Sequence, residues 1–276
     1  MKRFISNKFV LFALGTLFVI LLWVICSLIF DKNGAIFPNP IFTMEKFIVI
    51  LGEPYTYKCL GYTFLRMLIG FGLSFAVALL FGVLAGNNEN IYQFFKPLMV
   101  VIKSVPTVAL VFLFLVMINA KNAPIFVVFV ICFPILYEGV VGGIKNVSDD
   151  VIDASKVDGA NYLKGTLFVK LPLAVPYIIV SMVSSFALSF KIEIMAEVIT
   201  GYTRNGLGSV IHFTQVDDPS NMAGIFAYSL LAIIIMLLVS LLEEVIKHIL
   251  KKKNIVVSNN NWYSKYKEIN TYGIKR

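Results

Sequence analysis

Charged side chains inside otherwise apolar segments are the first candidates for chemistry in this chain. Lys191, Glu193 and Glu197 lie close together in one such segment. If such a segment crosses a membrane, a charge within it is costly and marks a functional site by default. On a helix Glu193 and Glu197 share a face, where two like charges repel and require a cation, a proton or water, whereas Lys191 points elsewhere. We predict that the two carboxylates line a translocation path or its outer gate; the alternative is that they lie in the wet membrane interface.

A second apolar segment contains Glu138, four residues after Pro134. The proline predicts a kink in a helix at this point. Glu138 is a candidate for the same path, and the alternative is an interhelical hydrogen bond, for example from a protonated carboxyl group. Two Gly-x-x-x-Gly pairs, at 82 and 86 and at 139 and 143, predict close approach between helices.

No arrangement typical of an enzyme active site is visible in the sequence. Residues 159–166 contain Gly, Lys and Thr, but a phosphate-binding loop needs its lysine directly after its second glycine, and here Lys164 precedes Gly165. His212 and His248 match no metal-ligand spacing. We therefore expect no catalytic residue, no metal and no cofactor in this chain, and any ATP that drives it is expected to be bound by a partner subunit.

The elements that position these residues are predicted to be transmembrane helices. Of the 276 residues, 58% are hydrophobic and only 14% are charged, whereas about a quarter of the residues of a soluble domain are charged. A helix crosses the hydrocarbon with about 20 apolar residues. Six segments are predicted to do so: residues 9–30, 60–86, 105–119, 124–144, 172–200 and 222–242.

Two segments depart from a simple span. The third is short, because Lys103 and Lys121 limit it, and Pro97 and Pro106 predict a broken or re-entrant start. Residues 41–51 are apolar but too short to cross, so they are predicted to form an interfacial helix.

The basic residues predict the orientation in the membrane. Six spans put both termini on one side, and that side has seventeen Lys and Arg residues against five on the other. Cytoplasmic loops carry the excess of basic residues. The N- and C-termini and the polar loop at residues 145–172 are therefore predicted to be cytoplasmic.

That loop is predicted to form a compact element that faces a partner. Residues 148–150, Ser-Asp-Asp, suit a helix N-terminus through capping and the helix dipole. Gly159 can end this helix in a left-handed cap. A second short helix can follow over residues 160–168, and Pro172 can open the fifth span.

The loop resembles the cytoplasmic loop of the permease subunits of binding-protein-dependent ABC importers. The family pattern is Glu-Ala-Ala, three residues, Gly, nine residues and Ile-x-Leu-Pro. This chain has Asp-Ala-Ser at residues 153–155, Gly at 159 and Val-Lys-Leu-Pro at 169–172, at the same spacing. Aspartate, serine and valine are conservative departures. The resemblance implies that the following residues couple the chain to an ATPase subunit: Asp153, Ala154, Ser155, Gly159, Ala160, Leu171 and Pro172.

The likeness covers nearly the whole chain and is greatest to the nitrate, sulfonate, taurine and thiamine-precursor branch. It includes FPNP at residues 37–40 and AEVITGYTRNGLGSVI at residues 196–211. It implies an all-α, type I ABC importer permease fold. The permease domain would occupy residues 1–250, with the coupling loop at 145–172, and a cytoplasmic polar tail would occupy residues 251–276.

The resemblance also implies partners and a mechanism. ABC ATPase subunits would dock on the cytoplasmic loop, a substrate-binding protein on the outer face, and a second copy would complete a homodimer in the cytoplasmic membrane of a prokaryote. The dimer would import a small solute by alternating access, either a sulfonate-, nitrate- or taurine-type anion or a thiamine-precursor-type molecule. Polar candidates for the path are Ser181, Ser184, Ser185, Ser189, Glu193, Glu197 and Glu138.

An alternative function is an ion-coupled secondary transporter that uses Glu193 and Glu197 for the coupling ion. Such transporters are commonly built from inverted repeats. No internal repeat is visible in this sequence, which favours the ABC permease.

Overall fold

A computed structural model describes residues 8–30, 37–148, 150–153, 161, 164–202 and 205–252. All regular elements in these ranges are helical. They are α1 Lys8–Phe30, α2 Pro40–Gly52, α3 Pro54–Asn87, α4 Glu89–Ser104, α5 Thr107–Met117, α6 Ala123–Lys145, the π-helical turn Gly165–Lys170, α7 Leu171–Thr200, α8 Leu207–Asp217 and α9 Met222–Lys252. The all-α prediction is confirmed.

Four of these helical segments are long and apolar enough to cross a membrane: Pro54–Asn87, Ala123–Lys145, Gly165–Thr200 and Met222–Ile249. The pair α4 and α5 makes a fifth if it counts as one bent span. The prediction of six spans also includes α1. Its apolar stretch Leu14–Ile29 is shorter than those of the four long candidates. Many large apolar side chains are exposed on these helices, such as Leu28 and Val116, as expected where lipid takes the place of water.

The described residues divide into two compact units. The first is formed by the described residues within 1–65 and 194–235, and the second by those within 66–193 and 236–276. The buried core of the first unit is formed by side chains of α2, α3, α8 and α9: Ile50, Cys59, Leu207, Val210, Ala227, Tyr228 and Leu231.

Helix α2 confirms the short helix predicted for residues 41–51. The Asn39 side chain accepts a hydrogen bond from Ile41 N at 2.9 Å, and Pro40 occupies the first turn. An asparagine cap followed by proline is a strong helix start, because the cap satisfies a free backbone N–H and the proline lacks one. Nearby, Trp23 Nε1 donates to Pro38 O at 3.2 Å and so ties α1 to the chain before α2.

The second unit is built where α3, α6 and α7 pack closely. Its core includes Val140, Ile144, Ala174 and Ile178. A Cβ atom on Gly82 would lie 2.7 Å from Val140 Cβ, and one on Gly86 would lie 2.8 Å from Ile144 Cβ. Residues 139 and 143, both glycine, approach α7 in the same way. The helix contacts predicted from both Gly-x-x-x-Gly pairs are confirmed.

The third predicted span is broken, as expected. Helices α4 and α5 meet at an angle of 98°. The break falls at Val105 and Pro106, both in extended conformation, because proline disfavours a helical conformation at the residue before it. Pro97, the other predicted break, lies inside α4.

The entry to the fifth span differs from the prediction. The α-helix begins at Leu171, with Pro172 in its first turn, but the π-helical turn Gly165–Lys170 precedes it without interruption. Leu171 N donates to Thr166 O, five residues back. The separate short helix expected over residues 160–168 is therefore wrong for its described part, because the segment from Gly165 onward extends the span.

Two further helix boundaries differ from the predicted span limits. Helix α3 begins at Pro54, six residues ahead of the predicted span, and α9 continues to Lys252, beyond the predicted end at residue 242. Charged residues do not end these helices, since a helix can leave the hydrocarbon and continue into water. The predicted tail starts at residue 251, and residues 253–276 lie outside the described part of the chain.

Candidate translocation and coupling residues

Glu197 lies in a buried hydrogen-bonded site of the first unit. Its side chain is only 1% exposed. Oε2 accepts a hydrogen bond from Thr63 Oγ1 at 2.8 Å and another from Gly208 N at 3.0 Å. Thr63 Oγ1 in turn accepts from Leu207 N at 2.8 Å. One carboxylate and one hydroxyl thus satisfy two backbone N–H groups at the start of α8.

Two glycines make this arrangement possible. A Cβ atom on Gly206 would lie 2.5 Å from Glu197 Oε1, and one on Gly208 would overlap the backbone oxygen of Ile194. The Gly-Leu-Gly sequence at residues 206–208 therefore lets the chain pass directly over the carboxylate. An acidic group at a helix N-terminus is also favoured by the helix dipole.

These contacts indicate a structural role for Glu197. It joins α7, α3 and the first turn of α8 inside one core. Burial does not support the alternative that Glu197 lies in the wet interface. Its role in the path remains a prediction. In that role the carboxylate would have to contact an ion or solute in addition to Thr63 and Gly208.

Glu193 is completely buried in the second unit, at 0% exposure. Its neighbour Lys191 is exposed, in agreement with the expectation that the two point in different directions. A fully buried ionisable group is expensive unless it is compensated. Glu193 therefore remains a functional candidate, and the wet-interface alternative is not supported by its burial.

Two of the serines predicted for the path, Ser185 and Ser189, are buried and turned toward their own helix, whereas Ser181 and Ser184 are half-buried. Ser185 Oγ donates to Ser181 O at 2.7 Å, and Ser189 Oγ donates to Phe186 O at 2.7 Å. Both residues are 0% exposed. Hydroxyls bonded to the preceding turn are common in apolar helices because the backbone oxygen is the nearest acceptor. Because their hydroxyl groups already donate to their own helix, these two serines are poor candidates for binding a solute.

Glu138 forms an interhelical ion pair. Lys103 Nζ lies 2.5 Å from Glu138 Oε2, and the side chains are 43% and 52% exposed. The contact joins α4 to α6. The predicted alternative of an interhelical hydrogen bond is thus present, with a lysine as the donor.

Because this pair is exposed, we expect Glu138→Gln to change stability by less than about 1 kcal/mol. Lys103→Gln should have an equally small effect, and a thermal-unfolding comparison in detergent measures both. If Glu138 instead serves the path, Glu138→Gln should impair solute uptake while Lys103→Gln leaves it unchanged. Equal uptake by the two variants would contradict a path role.

The described coupling residues sit at the two ends of the loop. Residues 150–153 are helical, and Val151 N and Ile152 N both donate to Ser148 O, at 3.2 and 3.4 Å. The helix predicted to start here is confirmed over this range, and Asp153 is exposed on it. Leu171 and Pro172 begin α7. The other predicted coupling residues lie outside the described residues: Ala154, Ser155, Gly159 and Ala160.

Sequence reasoning missed the partners of these groups. Thr63 lies in an apolar segment and has no signal of its own, since its partner is 134 residues away. Lys103 entered only as a limit of the third span. Within the described ranges no cluster of three or more His, Cys, Asp or Glu side chains could hold a metal ion.

Comparison with known proteins places this chain in a family. Residues 78–255 match the family model described as binding-protein-dependent transport system inner membrane component. The nitrate import permease protein NrtB of Synechocystis sp. is 26% identical over 197 residues, which cover 66% of this chain and 70% of that protein. A Brucella melitensis biotype 1 protein named "Probable ABC transporter permease protein" is 24% identical over 208 residues, covering 74% of this chain and 83% of that protein.

Solved structures show the same fold. The inward-facing MetNI methionine ABC transporter (CY5 SeMet soak crystal form) aligns with a TM-score of 0.57 at 18% identity, over 67% of this chain and 91% of that chain. An amino acid ABC transporter with histidines aligns with a TM-score of 0.58 at 16% identity, over 75% and 95%. The family match covers more than half of the residues, so this chain belongs to the binding-protein-dependent transport system inner membrane components, the permease subunits of ABC importers.

Proposed function

We propose that two copies of this chain form the membrane pathway of an ATP-driven importer for a small solute of the nitrate, sulfonate, taurine or thiamine-precursor type. The observation that carries the proposal is the loop motif from Asp153 to Pro172, with its family spacing, in a chain of this permease family. The similarity to a protein named as a nitrate import permease supports an anion as the first substrate to test.

ATP is bound by partner subunits that dock on the loop. The exposed helix at residues 150–153 presents Asp153. Gly159, which lies outside the described residues, is expected to allow the turn that follows. Ala154, Ser155 and Ala160 belong to the same docking surface, and Leu171 and Pro172 return the chain to the membrane. With the loop and both termini in the cytoplasm, the ATPases are on the side where ATP is available.

Transport proceeds by alternating access. ATP binding draws the two ATPase subunits together, and the coupling loops move with them. The loops tilt the helices that continue from them, α6 before and α7 after. A substrate-binding protein on the outer face, near residues 201–221, delivers the solute to the opened path, and ATP hydrolysis resets the dimer.

Substrate choice rests mainly with the binding protein. Ser185 and Ser189 donate to their own helix, so the path offers few strong ligands. A Glu193 carboxylate beside the solute would repel an anion, so transport of an anion requires that Glu193 lie away from it. Such a path lets solute pass without holding it.

The rival function is ion-coupled transport by this chain alone, with Glu193 and Glu197 as the ion site. Complete burial of Glu193 is the observation in its favour. Glu197 weakens it, because that carboxylate already accepts hydrogen bonds from Thr63 and Gly208.

Reconstitution into proteoliposomes with the cognate ATPase and binding protein tests the proposal. We expect nitrate or sulfonate uptake that requires ATP, and no uptake by the chain alone under a proton gradient. Gly159→Ile should abolish ATPase co-purification and uptake, because a β-branched residue is strongly disfavoured in the left-handed conformation predicted for this position.

Gly61→Ile is the matched control, since Gly61 is exposed with no atom within 4 Å of an added Cβ. It should leave both measurements near the wild-type value. Uptake by the chain alone under a proton gradient would establish the rival function. Retention of ATPase binding and ATP-driven uptake by Gly159→Ile would exclude the proposed docking loop.

A further inference from the structure

Asn87 connects the coupling loop (residues 145–172), near its C-terminal end, to the rest of the second unit. Asn87 is the last residue of α3, and its Oδ1 accepts hydrogen bonds from Lys170 Nζ at 2.8 Å and from Thr166 Oγ1 at 3.3 Å. Its Nδ2 donates to Val83 O at 2.8 Å, which fixes the amide orientation. The side chain is half-buried and Thr166 is buried. The π-helical turn before α7 is therefore fastened to the end of α3.

The N-terminal end of the loop is tied to Glu89, two residues further along. Lys145, the last residue of α6, places Nζ 2.7 Å from Glu89 Oε2. The same ammonium group lies 3.6 Å from the centre of the Tyr92 ring. Gln93 Nε2 donates to Glu89 Oε1 at 2.7 Å and holds the carboxylate in place. A salt bridge backed by an aromatic face is stronger than an exposed pair alone.

Both ends of the loop thus converge on one short link, residues 87–89, between α3 and α4. The link itself has a defined shape. Asn88 caps α4 by accepting hydrogen bonds from Asn90 N at 2.9 Å and Ile91 N at 3.4 Å. A capped helix start next to a helix end leaves little freedom between them.

Close packing lies directly behind the link. An added Cβ on Gly86 would lie 2.8 Å from Ile144 Cβ, and one on Gly143 would lie 3.0 Å from Ala174 Cβ. The last turns of α3 and α6 and the first turns of α7 have no space to slide past one another. Tightly packed interfaces of this kind transmit displacement, because they are not continuously deformable.

We propose that residues 87–89 act as a clamp that converts movement of the coupling loop into movement of α3 and α4, with Asn87 as its main positioning residue. The inference rests on the proposed docking of an ATPase on this loop and adds the part of the permease that receives the motion. Asn87 carries more of the clamp than Glu89, because its contacts are less exposed to water. Without it, the π-helical turn loses its direct hydrogen bonds to α3 and stays connected to α3 through helix packing.

The measurement is the number of solute molecules taken up per ATP hydrolysed, in proteoliposomes containing the permease, its ATPase and its binding protein. Asn87→Ala should keep ATPase co-purification and lower this ratio by about fivefold or more, which corresponds to a typical coupling free energy. Asn87→Asp keeps oxygen acceptors for Lys170 and Thr166 and should recover most of the loss. Asn90→Ala, an exposed change three residues away, is the matched control and should match the wild type.

A charge exchange tests the second tie independently, should Asn87→Ala fail to fold. Glu89→Lys alone should lower the ratio, and Glu89→Lys combined with Lys145→Glu should restore it. An unchanged ratio in both Asn87→Ala and Glu89→Lys would overturn the clamp, as would a loss in Asn87→Asp equal to that in Asn87→Ala. Absence of ATP-driven uptake in the wild type would instead contradict the proposed function.

Discussion

Gly139→Ala is expected to destabilise the folded protein, whereas Gly142→Ala on the same helix leaves its stability nearly unchanged. A Cβ atom on Gly139 would overlap the Ser181 side chain at its Oγ and Cβ atoms, and one on Gly142 would meet nothing within 4 Å. Overpacking of a well-filled core costs typically about 1–3 kcal/mol. Both changes gain up to about 1 kcal/mol of helix propensity, so the difference isolates the contact between α6 and α7.

Thermal unfolding in detergent, followed by size-exclusion chromatography, measures the difference. Gly139→Ala should unfold at a lower temperature than the wild type, and Gly142→Ala at the same or a slightly higher one. Ser181→Gly added to Gly139→Ala should recover much of the loss, because it removes the opposing Cβ. Similar unfolding temperatures for the two single alanine variants would refute the close approach of these helices.

The second large effect is expected at Glu197. Glu197→Leu should destabilise the first unit strongly, because the Thr63 hydroxyl and the Gly208 N–H would both lose their buried acceptor. Each buried polar group left without a partner costs about 1–3 kcal/mol. Glu197→Gln keeps one oxygen acceptor and should have an intermediate effect. The unfolding temperature of each variant, with and without Thr63→Val, gives the interaction energy from a double-mutant cycle.

The same variants separate a structural role from a role in the path. If Glu197 acts through its contacts, stability and uptake should fall together across Leu and Gln, and the effect of Glu197→Leu should shrink when Thr63 is already valine. If Glu197 carries an ion or contacts solute, Glu197→Gln should lose uptake while its unfolding temperature stays near the wild-type value. That second pattern would contradict the structural role.

Much of the fold follows from the sequence because hydropathy acts locally. An apolar run long enough to cross lipid must satisfy its own backbone hydrogen bonds, and a helix is the simple solution. For the same reason Pro106 predicts the break between α4 and α5, since its effect reaches only one or two residues. The glycine pairs at 82 and 86 and at 139 and 143 also have a local meaning, because a residue without a side chain permits close approach.

The parts that could not be predicted depend on residues far apart in the chain. Glu197 is conspicuous as a charge in an apolar segment, but its acceptor role depends on Thr63, which no local pattern distinguishes. Asn87 appears in the sequence as an ordinary polar residue at the end of a span. Its contact with Lys170 forms because the end of α3 lies beside the π-helical turn that precedes α7. Helix ends such as Lys252 are also poorly specified, because a helix can leave the membrane without a change in backbone conformation.

Helix α5 is shorter than the hydrocarbon layer of a lipid bilayer is thick. Eleven helical residues rise about 16 Å at 1.5 Å per residue, whereas the hydrocarbon layer is about 30 Å thick. The sharp bend at Val105 prevents α4 from supplying the missing length. If α5 crossed the hydrocarbon alone, the bilayer beside it would have to thin or deform, at a cost that grows with every ångström of mismatch. In that arrangement, membrane thickness would add a term to the energetics of transport, beside those proposed for ATP and the binding protein.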